Sequence, residues 1–421
     1  MSLKDKISVS ISAVNPVTNE YNYADLTFPA TSMEVEDAFQ KARITKGGEY
    51  FVEILSCPDL PDLCNTKIDG RIEMKELNLL AKRMQVLSED ELTVLGGLFK
   101  SKLPDENASL SLEEIINMTY GLDSVTVVHG ITTDEQVGEF VIDNGLSEEL
   151  LTVSDEVMQY VDPKLVGEIF REQENGVFYN SSYIPLGMYT EQNVYKSPTR
   201  AELEVRNDIA FGLKIAEAPV NDSEETIDSA EWIYLPIDKN YANDRATVHN
   251  EGCIEDCVYF GFKSAFPSID EEVFDDMLKF DKLNEIATRY VRLDDANRIK
   301  FKAVVEKVEP QTLDEVLEIS DNLNRYEWSY YSAGEDNFGK EYLARHLPTG
   351  FDLGAFDGCH LNWFGDRVLE RINAGVTDYG AVSDIDRSLF EVIRYSEQEQ
   401  KENQIQTNDE IQDDGYGGMT M

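Results

Sequence analysis

Apolar and polar residues alternate in two early segments of the chain, Ile7 to Val14 (ISVSISAV) and Tyr50 to Leu55 (YFVEIL). A period of two places successive side chains on opposite faces of a strand, so this pattern predicts a small, half-buried sheet. Between the two segments, Ser32 to Ala42 begins with a serine and has acidic residues early. That combination predicts a short helix with Ser32 as its N-cap.

The residues after Glu73 follow a helical period instead, and capping boxes mark the starts of the next helices. Further helices are predicted near residues 135–144 and 164–172. A small sheet followed by packed helices is typical of an α+β fold. The first helical face consists of Leu77, Leu80, Ala81 and Met84, and the capping boxes pair Ser88 with Glu91 and Ser111 with Glu114.

An internal repeat is visible in blocks that recur in the same order at an offset drifting from about 207 to 198 residues. KELNLLAKRM (Lys75 to Met84) matches DKLNEIATRY (Asp281 to Tyr290), and SLEEIINMTYGLD matches TLDEVLEISDNLN. Six collinear blocks predict two tandem copies of an elongated acidic unit, each with a sheet-containing subdomain followed by packed helices. The predicted boundaries are 1–190 for copy 1, 191–204 for a connector, 205–385 for copy 2 and 386–421 for an acidic, disordered tail.

Charge changes the picture most, because 82 acidic residues against 37 basic ones give a net charge of −45. Apolar residues make up 42% of the chain, which is enough for packed cores. Residues 1–190 carry −19, residues 191–385 carry −20 and the tail 386–421 carries −6, so the excess belongs to the repeated unit. Self-repulsion at this charge opposes folding, which favours a specific use of the charge. Generic solubility and adaptation to high salt remain the alternatives.

The acids also lack interspersed bases. No Lys or Arg occurs from Leu103 to Pro163, a segment that contains 14 acidic residues. None occurs from Ile215 to Asp238 either. Carboxylates three or four residues apart on a helix lie about 5–6 Å apart, which approaches phosphate spacing along a DNA strand. At the charge density of B-DNA, 45 charges would cover roughly 75 Å of duplex. The pattern predicts a surface that imitates DNA, with a solvated acidic face as the alternative.

The candidate partner-binding residues are acids predicted to be unneutralised, each acting as a phosphate surrogate and none performing chemistry. They are Glu113, Glu114, Asp123, Asp134, Glu135, Glu139, Asp143, Glu148, Glu149, Asp314, Glu315, Glu318, Asp321, Glu335 and Asp336.

Other chemistry finds little support in the sequence. The four histidines have no metal-ligand spacing, and no phosphate-binding loop, dinucleotide fingerprint or nucleophile elbow occurs. Asn65 to Glu76 superposes on a calcium-binding EF loop, but Lys67 stands where calcium needs oxygen. We therefore expect no enzyme activity, no metal and no cofactor. The alternative in the enzyme class is a carboxylate or calcium-dependent hydrolase.

The compartment is expected to be the cytoplasm. Met1 to Ser10 has no apolar core of a secretory signal, and no apolar run is long enough to span a membrane. Five cysteines, odd in number and without a C-x-x-C pair, are typical of reduced thiols. A surface this negative is also expected to repel nucleic acid and anionic lipid.

Several blocks resemble the ArdA-type antirestriction proteins of mobile genetic elements. They are E-L-N-x-L-A at Glu76, L-E-E-I-I-N-M-T at Leu112, V-G-E-F at Val137 and D-P-K-L-V-G at Asp162, followed by G-V-F and Tyr183. The resemblance covers most of copy 1 and, more faintly, copy 2. It implies an elongated DNA mimic that blocks type I restriction-modification enzymes. The chain departs from the family in its tandem form and in the acids Glu168 and Asp366, where a base is expected.

Together these observations predict an antirestriction protein that binds the methyltransferase and specificity core of a type I restriction-modification enzyme. The alternative partner is another basic nucleic-acid protein, such as a CRISPR effector or a nucleoid protein. The two copies are expected to pair as an intramolecular pseudo-dimer, and a homodimer of the whole chain is the alternative. The predicted contact involves Leu165, Val166 and Phe170 with Trp363, Phe364 and Val368.

Overall fold

The structure is a computed structural model that describes most of the chain. Its described residues are 6–16, 19–45, 47–103, 108–196, 209–216, 230–249, 251–269, 279–348, 350–356, 359 and 361–390.

The chain begins with a three-stranded antiparallel sheet in the order β2-β1-β3, formed by β1 (Ile7–Val14), β2 (Tyr21–Phe28) and β3 (Phe51–Ser56). The predicted alternation is confirmed, because the odd-numbered residues of β1 from Ile7 to Ala13 are buried. Helix α1 (Ser32–Lys41) packs against β2.

The N-cap of α1 is Thr31, so the prediction of Ser32 was wrong by one residue. The Thr31 hydroxyl accepts a hydrogen bond from the Glu34 backbone N–H, and the Glu34 carboxylate accepts one from the Thr31 N–H at 2.6 Å. A capping box needs its acidic partner three residues after the cap, and only Thr31 satisfies that spacing with Glu34.

Three helices follow, α2 (Met74–Gln85), α3 (Glu89–Lys102) and α4 (Leu112–Met118), with a short parallel pair of strands, β4 (Lys67–Asp69) and β5 (Ser109–Ser111). The predicted apolar face of α2 is fully buried and both predicted capping boxes are present. These helices share one core with the first sheet.

Polar residues of the motif blocks are buried anchors in this core. The Asn117 side chain donates to the backbone oxygen of Tyr195 at 3.0 Å and accepts from the Tyr195 N–H at 2.8 Å. The Tyr195 hydroxyl donates to the Glu76 carboxylate at 2.9 Å, and Asn78 accepts from the Ala30 N–H at 2.9 Å. The start of the predicted connector is therefore fixed to α2 and α4, and residues 197–204 lie outside the described residues.

A second antiparallel sheet, in the order β6-β8-β7, consists of β6 (Val128–His129), β7 (Gly176–Tyr179) and β8 (Ser182–Pro185). Three helices lie between β6 and β7 in the described chain: α5 (Asp134–Asp143), α6 (Asp155–Met158) and α7 (Pro163–Gln173).

A third sheet, β10-β9-β11, contains β9 (Phe211–Ala216), β10 (Glu231–Leu235) and β11 (Val258–Ser264), with α8 (Lys239–Val248) between its last two strands. It repeats the antiparallel order of the first sheet, with its first strand in the centre.

A second series of helices, together with a fourth three-stranded sheet, forms the last part of the described chain. Its helices are α9 (Phe280–Arg292), α10 (Asp295–Val308), α11 (Leu313–Asn322), α12 (Glu335–His346) and α13 (Asn362–Arg371), and its sheet, in the order β12-β14-β13, contains β12 (Trp328–Ser329), β13 (Ala374–Thr377) and β14 (Gly380–Ser383).

The fold class is α+β, as predicted. Spatial contacts divide the chain after Pro267 into two compact units, with Pro16 and Asn19 grouped in the second. This division concerns compactness and does not test the repeat boundaries, which stay a prediction. Of the predicted tail, Leu389 and Phe390 pack on the core beside Phe338, and residues 391–421 lie outside the described residues. No helix in the described part of the chain is long and apolar enough to cross a membrane.

Candidate functional site

The solvent face of α5 carries a stripe of three predicted site residues, Glu135, Glu139 and Asp143, hereafter the α5 stripe. They stand at positions i, i+4 and i+8, so their side chains share one face and rise about 6 Å per step along the axis. All three are exposed, and none has an ion-pair partner among the described residues. Like charges at this spacing destabilise a helix by about 0.2–0.5 kcal/mol per pair. The stripe therefore persists at a cost in stability.

The opposite face of α5 holds the helix against α7. A Cβ on Gly138 would lie 1.7 Å from the Pro163 backbone oxygen, and one on Gly167 would lie 1.7 Å from the Asp134 backbone oxygen. Only glycine permits this approach of two helix backbones. Asp134 faces α7 as well, where its carboxylate accepts from the Arg171 Nε at 2.6 Å. This packing leaves the α5 stripe on the outer surface.

The other first-half candidates fall into two groups. Asp123, Glu148 and Glu149 are exposed and have no ion-pair partner among the described residues. Glu113 is half-buried on α4. Glu114 caps α4, and hydrogen bonds from the Ser111 backbone N–H and hydroxyl hold its pKa below the ordinary value.

The second-half candidates are more often neutralised. Asp314 pairs with Lys282 at 2.6 Å, Asp321 with Arg289 at 2.7 Å, and Asp336 with Lys340 at 2.8 Å. With Asp134, four of the fifteen residues predicted to be unneutralised form ion pairs, so that part of the prediction was wrong for them. The bases that reach Asp134, Asp314 and Asp321 come from other helices, which the local sequence does not reveal, whereas Lys340 lies one turn after Asp336 on the same helix. Glu315, Glu318 and Glu335 are exposed.

A cavity of about 570 Å³ contains a histidine beside a carboxylate and a serine, the residue types that a hydrolase could use. At its edge the His129 Nε2 lies 3.0 Å from the Asp90 carboxylate, and its Nδ1 lies 3.2 Å from the Ser182 hydroxyl. His129 and Ser182 are directly opposite each other on β6 and β8. Ser182 is only 2% exposed, so its hydroxyl is not open to a substrate. The contact joins the second sheet to the start of α3.

The EF-loop reading of Asn65 to Glu76 conflicts with the structure of that segment. Residues Lys67–Asp69 form a strand that pairs with Ser109–Ser111, and the Asp69 carboxylate accepts from the Ser109 hydroxyl at 2.8 Å. Glu76, which would be the last calcium ligand, is buried against Tyr195. In the described part of the chain, no group of three or more His, Cys, Asp or Glu side chains is arranged to hold a metal ion.

An exposed aromatic surface on the first sheet escaped prediction. Tyr21, Tyr23 and Phe51 lie on its outer face, with ring centroids 6.1 Å and 6.0 Å apart in neighbouring pairs. The signal was present, because Tyr21 and Tyr23 alternate with buried residues along β2. Among the residues predicted for a contact surface, Leu165 and Trp363 are 55% and 66% exposed, and the other four are half-buried or buried.

Comparison of the chain with models of known protein families, with curated proteins and with solved structures finds no match.

Proposed function

We propose that this protein is a non-enzymatic DNA mimic that occupies the DNA-binding cleft of a restriction-modification enzyme of type I. The observation that carries the proposal is the α5 stripe, whose three carboxylates stand about 6 Å apart with no compensating base in the part of the chain that the structure describes. The region around it, Leu103 to Pro163, contains no Lys or Arg at all. The choice of enzyme class rests on the resemblance of the motif blocks.

The physical basis is exchange of one polyanion for another. A cleft that binds DNA presents Lys and Arg at phosphate spacing, and binding releases the counterions of the polyanion. A fixed array of carboxylates meets the same cations without presenting a bond for the enzyme to cleave. The protein needs no catalytic residue for this activity, because it acts by occupancy.

The test is ATP-dependent cleavage of DNA by a purified type I enzyme, titrated with this protein. The block variant carries Asp123→Asn, Glu135→Gln, Glu139→Gln, Asp143→Asn, Glu148→Gln and Glu149→Gln. We expect it to lose inhibition, while each single change is nearly silent, since exposed pairs contribute at most about 1 kcal/mol. Inhibition should also weaken steeply with salt and with excess specific DNA.

The matched control removes the same formal charge from carboxylates that already have a base beside them. These are Glu73, Glu168, Glu191, Glu255, Glu285 and Asp386. The control should inhibit nearly as well as the natural chain. Equal loss of inhibition in the block variant and the control would show that inhibition depends on net charge alone. Loss of inhibition from a single substitution would instead indicate a catalytic site. Capture of a CRISPR effector or nucleoid protein, without inhibition of the type I enzyme, would favour the alternative partner.

A further inference from the structure

The outer face of the first sheet has a regular layout set by its strand register. Ser12 on the central strand lies opposite Tyr23 on one side and Phe51 on the other. The next row on the same face places Ser10 between Asp25 and Glu53. Small serines thus form the floor, and larger side chains rise from the two outer strands. We call this surface the aromatic-acid cleft.

The dimensions of the cleft follow from sheet geometry. Neighbouring strands lie about 4.8 Å apart, so the two outer strands are about 10 Å apart across the floor. The aromatic row and the acidic row are two residues apart along the strands, or about 7 Å. Tyr23 is 64% and Phe51 is 58% exposed, so both rings are open to solvent. Tyr21 extends the aromatic end, with its ring edge-on to Phe51.

The two carboxylates of the cleft lack a cation. Neither Asp25 nor Glu53 has an ion-pair or hydrogen-bond partner among the described residues. Aromatic faces attract cations through the negative charge of the ring face, and neighbouring carboxylates strengthen that attraction. The cleft therefore combines two kinds of group that bind a cation, and it supplies none itself.

The third sheet shows what the same kind of face looks like when the chain provides the cation. There the row equivalent to Asp25, Ser10 and Glu53 consists of Trp232, Lys214 and Gly261. The Lys263 ammonium lies 4.9 Å from the centre of the Trp232 ring. A lysine replaces the central serine and a second lysine covers the aromatic ring. In the third sheet, lysines of the chain itself thus supply the cation for this face. The described residues of the first sheet supply none.

A contact beside β3 indicates which cation fits best. The Arg71 guanidinium lies 4.4 Å from the centre of the Tyr50 ring, and its Nε is 3.3 Å from the Glu73 carboxylate. Guanidinium groups stack on aromatic faces and bind carboxylates with two parallel hydrogen bonds, which a lysine ammonium cannot do. An aromatic row followed by an acidic row matches both properties of arginine.

We propose that the aromatic-acid cleft is a binding site for an arginine side chain of a basic polypeptide segment. The guanidinium lies between the Tyr23 and Phe51 rings, and neighbouring arginines of the segment pair with Asp25 and Glu53. This site is distinct from the α5 stripe and does not depend on the proposed function. It recognises the planar shape of the cation, whereas the stripe responds to charge.

The experiment uses the full chain and two fluorescein-labelled peptides, one of alternating arginine and glycine and one of alternating lysine and glycine. Binding is measured by fluorescence anisotropy at about 0.15 M salt, where the Debye length is about 8 Å. The variant Tyr23→Ser with Phe51→Ser removes both rings and no charge. We expect its Kd for the arginine peptide to rise about tenfold and its Kd for the lysine peptide to change less than about twofold.

Two further variants separate the cleft from general attraction between acids and bases. Asp25→Asn with Glu53→Gln should weaken binding of both peptides. The matched control, Asp366→Asn with Glu370→Gln, removes two exposed charges that lie outside both the cleft and the α5 stripe, and it should change either Kd less than about twofold. Equal effects of these two variants would overturn the site, as would unchanged arginine binding after loss of both rings.

A fourth variant keeps the proposal testable if the double serine change disturbs folding. Tyr23→Trp retains a ring and adds an indole reporter at the cleft. Its arginine preference should persist, and its emission should change when the arginine peptide is added but much less with the lysine peptide. An emission unaffected by the arginine peptide would contradict the proposal. No restriction-modification enzyme is present in these assays, so their failure is distinct from failure of the proposed function.

Discussion

Helices α5 and α12 occupy equivalent places in the two predicted copies, yet the acidic side chains on their surfaces differ in whether a base pairs with them. Each packs against a partner helix through a pair of glycines, Gly138 with Gly167 and Gly339 with Gly365. In α5 the residue after the glycine is Glu139, within the uncompensated stripe. In α12 it is Lys340, which pairs with Asp336 at 2.8 Å. The same framework therefore carries an acidic face in one place and a neutralised face in the other.

The contrast shows that the packing of the helix backbones and the charge on the helix surface vary independently in this protein. Backbone packing depends on a few glycines and buried apolar residues, which recur. The surface charge costs stability where it is uncompensated, and it is retained in α5 but not in α12. Of the two helices at equivalent places in the predicted copies, α5 keeps a charge pattern that lowers stability, which favours a role for its surface beyond folding.

The largest expected effect concerns how tightly the two helix pairs pack. In Gly138→Ala the new methyl group would lie 1.7 Å from the Pro163 oxygen, whereas in Gly339→Ala it would lie 3.1 Å from the Leu361 oxygen. We expect Gly138→Ala to lower the free energy of unfolding by about 3 kcal/mol. Gly339→Ala should change it by less than about 1 kcal/mol, because higher helix propensity offsets the crowding. Chemical denaturation measures both, and equal losses would contradict a difference in packing.

A second comparison concerns the anchored segment at Tyr195. Asn117 on α4 makes two buried hydrogen bonds to the Tyr195 backbone, and its counterpart on α11 is the exposed Glu318. Asn117→Ala should lower the free energy of unfolding by about 2 kcal/mol, because it leaves two buried backbone groups unpaired. Glu318→Ala should change it by less than about 0.5 kcal/mol. Thermal denaturation compares the two variants, and a similar loss in both would show that the anchor contributes nothing special.

The capping carboxylate of α4 should make the stability of the protein depend on pH. The folded-state pKa of Glu114 is lowered by the Ser111 hydrogen bonds, so its stabilisation is present above the unfolded pKa and is lost as pH falls through the folded pKa. Glu114→Gln should cost roughly 0.5–1 kcal/mol at neutral pH, and the cost should shrink in acid. Denaturation across pH 3 to 7 tests this. The counter-result is a cost that stays constant with pH.

The smallest expected effect is the exchange of the differing charges themselves. Glu139→Lys should raise the free energy of unfolding by about 0.5 kcal/mol, because it replaces two like-charge contacts with attractive ones. Lys340→Glu should lower it by a similar amount, since Asp336 loses its partner. Both changes should fade at about 1 M salt, where the Debye length is about 3 Å. A destabilised Glu139→Lys variant would argue against any cost of the α5 stripe.

Much of the fold could be predicted because its signals are local. Alternation in β1, the helical face of α2 and the capping boxes at Ser88 and Ser111 each depend on residues a few positions apart. Their outcomes matched the predictions to within about one or two residues, the usual uncertainty of element ends. The cap at Thr31 was missed because two adjacent hydroxyl residues compete, and only the spacing to Glu34 separates them.

The sequence by itself determined the α+β class, the excess of acids and the absence of bases from Leu103 to Pro163, because these properties depend on composition and short-range spacing. Only the tertiary structure decided that Asp134 and Asp314 are neutralised, since Arg171 reaches Asp134 from 37 positions away and Lys282 reaches Asp314 from 32. It also brought Tyr23, Phe51, Asp25 and Glu53 to one sheet face. Strand register joins residues far apart in the chain, and register is fixed by burial of the opposite face.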